Sequence, residues 1–463
     1  MTDIDLTTTI SSDLPGQDVH DADINITQLL STCIDAARRG CEVIRNVRHK
    51  SLHSTEILDS VLYKIADDPR SALTEADGAS QKVIIECITQ IYEKEIDAGR
   101  IKIVGEEEDD HSTDLECDES FDTQYSECMN THFDNYNCPR PDVEPLRKDM
   151  FNEEQQEATS AQVRGVKGDE IIIFIDPMDG TREFVEGRIQ NVQCLIGITI
   201  NGKPVAGAMG IPMMHENQIE IAYGLIQSKK SEGGVDNEGE EEVVPVLSGV
   251  KYFDSINPLD PSDKQSSSND KGDDCDVDST LMVYSGDSKK PALSLAMDCL
   301  ENIVLNSDES ENDDGVCNMN PPIQKIVAGG CGNKMLSVQR HYECISKRRA
   351  AHEECSVSSP MVGSLSIAPP GSSSWDTAAP TAVLLAADPK ARVTDLLGRP
   401  LIYDGDNLLN NCGIVVSSGY VSSRIHTRLC EGLCDNEELQ EVLGAAPPTN
   451  DDDEIPTDIC ETR

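Results

Sequence analysis

The stretch IIIFIDPMDGT, residues 171–181, puts five apolar residues in a row ahead of two carboxylates, Asp176 and Asp179, three positions apart. A short unbroken apolar run bounded by turn residues reads as a strand covered on both faces. Pro177 and Gly180 then fix a tight turn. Two acids at the end of a buried strand can face one ligand. Hard cations such as Mg2+ take oxygen ligands, commonly one or two carboxylates together with phosphate oxygens. The Thr181 hydroxyl is placed to polarise a water. An Asx-capped turn explains the same residues, so the motif alone leaves both readings open.

Working outward, Gly105-Glu106-Glu107 follows a second β-branched run, residues 101–104, and again sets carboxylates at the end of a strand, the edge at which open α/β sheets bind ligands. Residues 29–47 and 79–91 carry apolar side chains at helical spacing. Downstream, 193–200 and 204–211 are apolar runs joined by Asn201-Gly202-Lys203, a strong hairpin signal. A strand at 281–284, a helix at 293–304, a Gly-rich turn at 329–332, a helix at 333–341 and a strand at 413–417 follow. Ser374-Trp375-Asp376-Thr377 opens an apolar helix, with Asp376 near its N-cap. Mixed strands and helices with an antiparallel hairpin predict a layered α/β or α+β enzyme fold.

The polar stretches between these elements read as acidic insertions, about 108–168, 228–279, 306–322 and 356–370, between acidic tails at 1–26 and 446–463. Of 463 residues, 85 are Asp or Glu and 38 are Lys or Arg, a net charge of −47. That field excludes a nucleic-acid polymer and an anionic membrane surface as expected partners. The acidic N-terminus lacks a basic and apolar leader, and no apolar run is long enough to span a bilayer. The 17 cysteines are scattered without a C-x-x-C, which fits free thiols in a reducing compartment and predicts a cytoplasmic protein. His111, Cys117, Cys128, His132 and Cys138 fit no usual zinc spacing. Cys430 and Cys434 lie one helical turn apart, as an amphipathic helix would place them.

Glu106, Asp176, Asp179 and Asp376 together would make a pocket of like charges that needs cations to exist. In this order GEE, DPMDGT and WDTAA resemble the lithium-sensitive, magnesium-dependent phosphatases of the inositol monophosphatase superfamily. DGTREFVEG (179–187), NVQCLIGITINGKPVAGAMGIP (191–212), VAGGCGNKMLSV (327–338) and WDTAAP (375–380) are similar to its 3'(2'),5'-bisphosphate nucleotidase branch. The resemblance implies an α/β layered fold, the α-β-α-β-α sandwich of the inositol monophosphatase/fructose-1,6-bisphosphatase type, with long acidic loop insertions in one catalytic unit over 27–445.

By the same resemblance Glu106, Asp176, Asp179, Asp376 and the Met178 carbonyl hold roughly two to three Mg2+ ions. Asp77 and Thr181 activate water, and Ser285, Ser288, Gly330 and Lys334 contact the nucleotide. A Gly-rich turn opening a helix, with a Lys in its first turn, is also physically apt for phosphate. The branch usually has His where this chain has Ser288. The implied reaction removes the 3'-phosphate of adenosine 3',5'-bisphosphate, and of its sulfated analogue, to leave AMP in the first case. An inositol 1,4-bisphosphate 1-phosphatase or inositol monophosphatase is the alternative in the same fold. A non-catalytic acidic cation-binding or interaction protein is the alternative of another class. The expected partner is a small phosphorylated substrate.

Overall fold

A computed structural model describes residues 23–53, 62–63, 72–107, 144–152, 155, 164–165, 168–215, 217–230, 241–256, 280–305, 321–352, 362–421 and 423–444. Two sheets organise the chain. The larger has six strands: β1 (Ile101–Gly105), β2 (Ile171–Asp179), β3 (Gln193–Ile200), β4 (Lys203–Ile211), β5 (Gln218–Lys230) and β6 (Glu241–Asp254), in the order β6-β5-β4-β3-β2-β1. β1 and β2 are parallel, and the remaining neighbours are antiparallel. The smaller sheet has β7 (Leu281–Ser285), β8 (Ile323–Val327), β9 (Ser364–Ala368), β10 (Arg392–Thr394) and β11 (Ile414–Ser417), in the order β8-β7-β9-β11-β10.

Five layers result. Helices α1 (Ile26–His53) and α2 (Glu75–Asp97) bury Leu29, Leu30, Cys33, Ile84 and Ile88 against one face of the larger sheet. Following the five-residue α3 (Thr181–Val185) and α4 (Pro291–Leu305), helices α5 (Cys331–His352) and α6 (Ser374–Ala387) fill the space between the sheets. The outer face of the smaller sheet is covered by α4, α7 (Ser423–Cys434) and α8 (Glu437–Leu443) through Leu293, Leu300, Leu429, Leu433 and Leu439. This is the α-β-α-β-α sandwich expected from the sequence.

The position of α6 follows from three glycines. Gly197, Gly207 and Gly224 face one another across β3, β4 and β5. A Cβ added at Gly207 would lie 2.5 Å from the Ala379 carbonyl oxygen, one at Gly197 2.6 Å from the Ala379 nitrogen, and one at Gly224 2.7 Å from the Ala386 Cβ. Small residues on both sides let helix backbone rest almost directly on sheet backbone. The N-terminus of α6, and with it Asp376, is thereby fixed over the end of β2.

The sheets also claim residues that composition assigned to insertions. Glu241–Asp254 pairs with β5 along its whole length, as an edge strand that is half exposed and so lacks a clear apolar alternation. Ser364–Ala368 is a fully buried strand whose serines hid it: Ser364 N–H donates to Ser418 Oγ, and Ser364 Oγ to the Val338 carbonyl. Residues 144–152 pack on α1, where Arg38 reaches Glu144 at 3.0 Å, the Arg147 N–H donates to Asp35, and Phe151 is buried. At the other end, Ile24 is buried and Asn25 Oδ1 accepts from the Thr27 N–H, so the N-terminal acidic stretch gives way to structure before residue 26. The group His111, Cys117, Cys128, His132 and Cys138 and the tail at 446–463 lie outside the described residues. Cys430 and Cys434 are free thiols on α7. No helix among the described residues is long and apolar enough to cross a membrane.

Candidate active site

Three carboxylates converge where β2 ends beneath α6. One oxygen each of Asp176, Asp179 and Asp376 lies within 4.8 Å of the others. The register of β2 against β3 slips between Asp176 and Asp179, so a bulge at Pro177-Met178 lets both acids serve one place. The Met178 N–H donates to Asp176 Oδ1 at 3.0 Å and holds that side chain against the turn. Glu106 reaches the same cleft from the end of β1, its N–H bonded to the Ile175 carbonyl. Gln81 on α2 supports that loop by accepting the Glu107 N–H at 3.1 Å.

The cleft has a volume of about 350 Å³ and runs between the two sheets. Burial, reinforced by Glu106, Asp179 and Asp376, pushes the Asp176 carboxyl well above its ordinary value. Burial and the charges of Asp179 and Glu106 push Asp376 up to about 7. Asp179 rises to about 6 by burial, while Lys334 and two backbone N–H donors pull the other way. Acids that resist ionising together, with oxygen donors aimed at one point, fit a hard divalent cation and no soft one.

Beside them, Asp77 is fully buried at the start of α2. Its Oδ2 accepts the N–H and hydroxyl of Thr74, both at 2.7 Å, in a capping box. Its Oδ1 accepts the Thr181 hydroxyl at 2.8 Å, and that hydroxyl also lies 3.1 Å from the Met178 carbonyl. Asp77 is thus the third residue of a capping box whose N-cap is Thr74, and also a partner of Thr181 across the fold.

On the far wall the Gly-rich turn behaves differently from its sequence reading. The N–H groups of Cys331 and Gly332, which open α5, donate to Asp179 at 3.2 and 2.8 Å. They cap onto a carboxylate of the cluster and are not open donors for a phosphate. Gly330 is in the left-handed region at φ 23°, and a Cβ there would collide with the Asp179 carboxylate. Gly330, Lys334 and Ser288 line the cleft. Ser285 is buried at the end of β7, where its carbonyl accepts the Ala328 N–H, and it is not among the lining residues. Cations and acids that sequence reasoning passed over also line it: Arg182, Glu183, Asp287 and Lys290. Arg182 and Glu183 were in view within DGTREF. Glu183 is held by Arg188 at 2.6 and 2.7 Å and by Asn191 at 3.0 Å, and the bracket packs under Gly329 to seat the Gly-rich turn.

Comparison with known proteins points the same way. Residues 143–252 match the inositol monophosphatase family. The chain is 32% identical over 194 residues to 3'(2'),5'-bisphosphate nucleotidase 1 of Dictyostelium discoideum, an alignment covering 42% of this chain and 49% of that one. It is 25% identical over 288 residues to the Rattus norvegicus protein of the same name, covering 61% and 70%. The chain therefore spans about half of the first relative's length. Inositol monophosphatase II of Staphylococcus aureus superposes over 87% of this chain and 94% of its own, at 15% identity and a TM-score of 0.42.

Proposed function

We propose, from the match of residues 143–252 to the inositol monophosphatase family, that the chain is a Mg2+-dependent phosphatase that removes the 3'-phosphate of adenosine 3',5'-bisphosphate. The observation that carries the reading is the meeting of Asp176, Asp179 and Asp376 within 4.8 Å beside a hydroxyl, Thr181, whose proton is directed at a buried carboxylate. Glu106, Asp176, Asp179 and Asp376, with the Met178 carbonyl, would hold Mg2+, which supplies positive charge to the phosphoryl oxygens as they gain electron density in the transition state.

The chain's own part is positioning and proton transfer. Because the Thr181 hydroxyl donates to Asp77, its oxygen keeps a lone pair with which to accept from a water in the cleft. The water's proton passes by way of the Thr181 hydroxyl to Asp77 as the water oxygen bonds to phosphorus, and the 3'-oxygen, its bond to phosphorus broken, takes up a proton from solvent. Lys334, at the first turn of α5, offers a point charge to the anionic substrate and offsets part of the acidic field. The nucleotide reading rests on the DGTREF and GGCGNK wording and on relatives that bear the nucleotidase name.

The test is phosphate release with Mg2+ from adenosine 3',5'-bisphosphate and inositol 1,4-bisphosphate at equal concentration. Preference for the nucleotide supports the proposal. Preference for the inositol compound keeps the chemistry and overturns the substrate. Turnover that survives Asp176→Asn overturns the site.

A further inference from the structure

An ion pair spans the mouth of the cleft. Arg182, on α3 at the end of the larger sheet, directs Nη1 at both carboxylate oxygens of Asp287, 3.2 and 3.0 Å away, in the loop after β7 of the smaller sheet. Its Nε donates to Glu186 at 2.8 Å, which holds the guanidinium in place from behind. Both residues line the cleft. Nothing in the chemistry above uses either of them.

A structural strut is a weak account of this pair. The two side chains are 28% and 56% exposed, and such pairs contribute little to stability because water screens them and long side chains lose freedom in holding them. A guanidinium fork binds phosphate oxygens at least as well as a carboxylate, and can do so through two parallel bonds. Asp287 therefore presents to Arg182 the charge and oxygen acceptors that a phosphate would present. The same loop brings Ser288 and Lys290 to the cleft wall, adding a hydroxyl and a cation to its lining.

We propose that Arg182 is the contact for a second phosphate on the substrate, and that Asp287 holds the guanidinium ready until that phosphate displaces it. The proposal rests on the phosphatase reading and deepens it: the pair would separate substrates with two phosphates from those with one. Asp287 is displaced only by a ligand that brings a second anion to Arg182, and a ligand with one phosphate leaves the pair intact.

The test compares adenosine 3'-monophosphate with adenosine 3',5'-bisphosphate, which differ only in the second phosphate, with Mg2+ present. For Arg182→Gln the KM of the bisphosphate should rise about tenfold or more, and that of the monophosphate less than about twofold, since one charge-assisted contact is lost for the first and none for the second. Arg182→Lys should fall between. Asp287→Asn should lower the KM of the bisphosphate about threefold, because the competing carboxylate is gone. Equal changes for the two compounds, or none, would overturn the proposal. Equilibrium binding of the same two compounds separates its failure from that of the phosphatase reading: a wild-type protein that binds both and cleaves neither loses the reaction, while the ratio of dissociation constants still decides Arg182. Binding of neither overturns the proposal. Where Arg182→Gln fails to fold, Arg182→Lys and Asp287→Asn give the same comparison.

Discussion

The Thr181 hydroxyl donates to Asp77 Oδ1 at 2.8 Å, tying the first turn of α3 to the first turn of α2. The Asp77 carboxylate has its other oxygen committed to Thr74, so it cannot turn away to serve the cap alone.

Thr181→Ala should therefore lower kcat by roughly 10²–10³ with little change in KM, within the range for removing a general acid–base contact. Thr181→Ser, which keeps the hydroxyl, should retain most of the rate. Steady-state kinetics of the two variants on one substrate decides it: equal losses would mean that the methyl group, and not the proton, matters.

Gly330 leaves room for the Asp179 carboxylate at a positive φ. Gly330→Ala should destabilise the fold by about 1–3 kcal/mol, through strain and through loss of the Asp179 cap on α5. Denaturant unfolding measures the first effect. The same variant should bind Mg2+ more weakly, because the displaced carboxylate belongs to the cation cluster.

The acids of the cluster set a pH dependence whose sign can be worked out. Asp376, at about 7, and Asp179, at about 6, both lie above the ordinary value of 3.8. The folded protein thus holds protons that the unfolded chain has lost, and the stability they contribute is complete below the ordinary value and lost as pH rises through 6 and 7. The Tm of the cation-free protein should fall over that window. Added Mg2+ should restore it more at the alkaline end, since the cation replaces the missing protons. Thermal melts across pH, with and without Mg2+, would show this, and Asp176→Asn should abolish the difference.

Gly207→Ala tests the seating of α6. Its Cβ would come within 2.5 Å of the Ala379 carbonyl oxygen, which is backbone and cannot swing aside. A loss of about 1–3 kcal/mol is expected from overpacking, with a weaker response to Mg2+ as Asp376 is lifted from Asp176 and Asp179. An unchanged Mg2+ response at reduced stability would show that α6 tilts without moving its N-terminus.

What could be read in the sequence was local. The hairpin at Asn201-Gly202 is built as its dipeptide requires, with φ of 51° and 75° at the two turn residues. The carboxylates of DPMDGT meet because a strand and its bulge fix them within a few positions. Asp376 joins them by way of three glycines whose partners are distant in sequence, and no periodicity announces that. The Gly-rich turn misled for the same reason: its N–H groups looked available until the fold brought Asp179 to them. β9 escaped because its buried serines find partners on α5 and after β11, contacts that a one-dimensional hydrophobic pattern cannot register. Arg182, within DGTREF, takes its meaning from Asp287, which is distant in sequence and lies in the loop after β7.

The glycine seat of α6 has a mechanical consequence. A helix resting on side chains can slide as they change rotamer, whereas one lying on bare backbone has no such compliance. Asp376 must therefore travel with the larger sheet that carries Asp176 and Asp179, and these three acids behave as one stiff jaw. Whatever opening admits a substrate falls to the opposite jaw, at the loops that bear Asp287, Lys290 and Pro370, where the contacts are exposed polar ones.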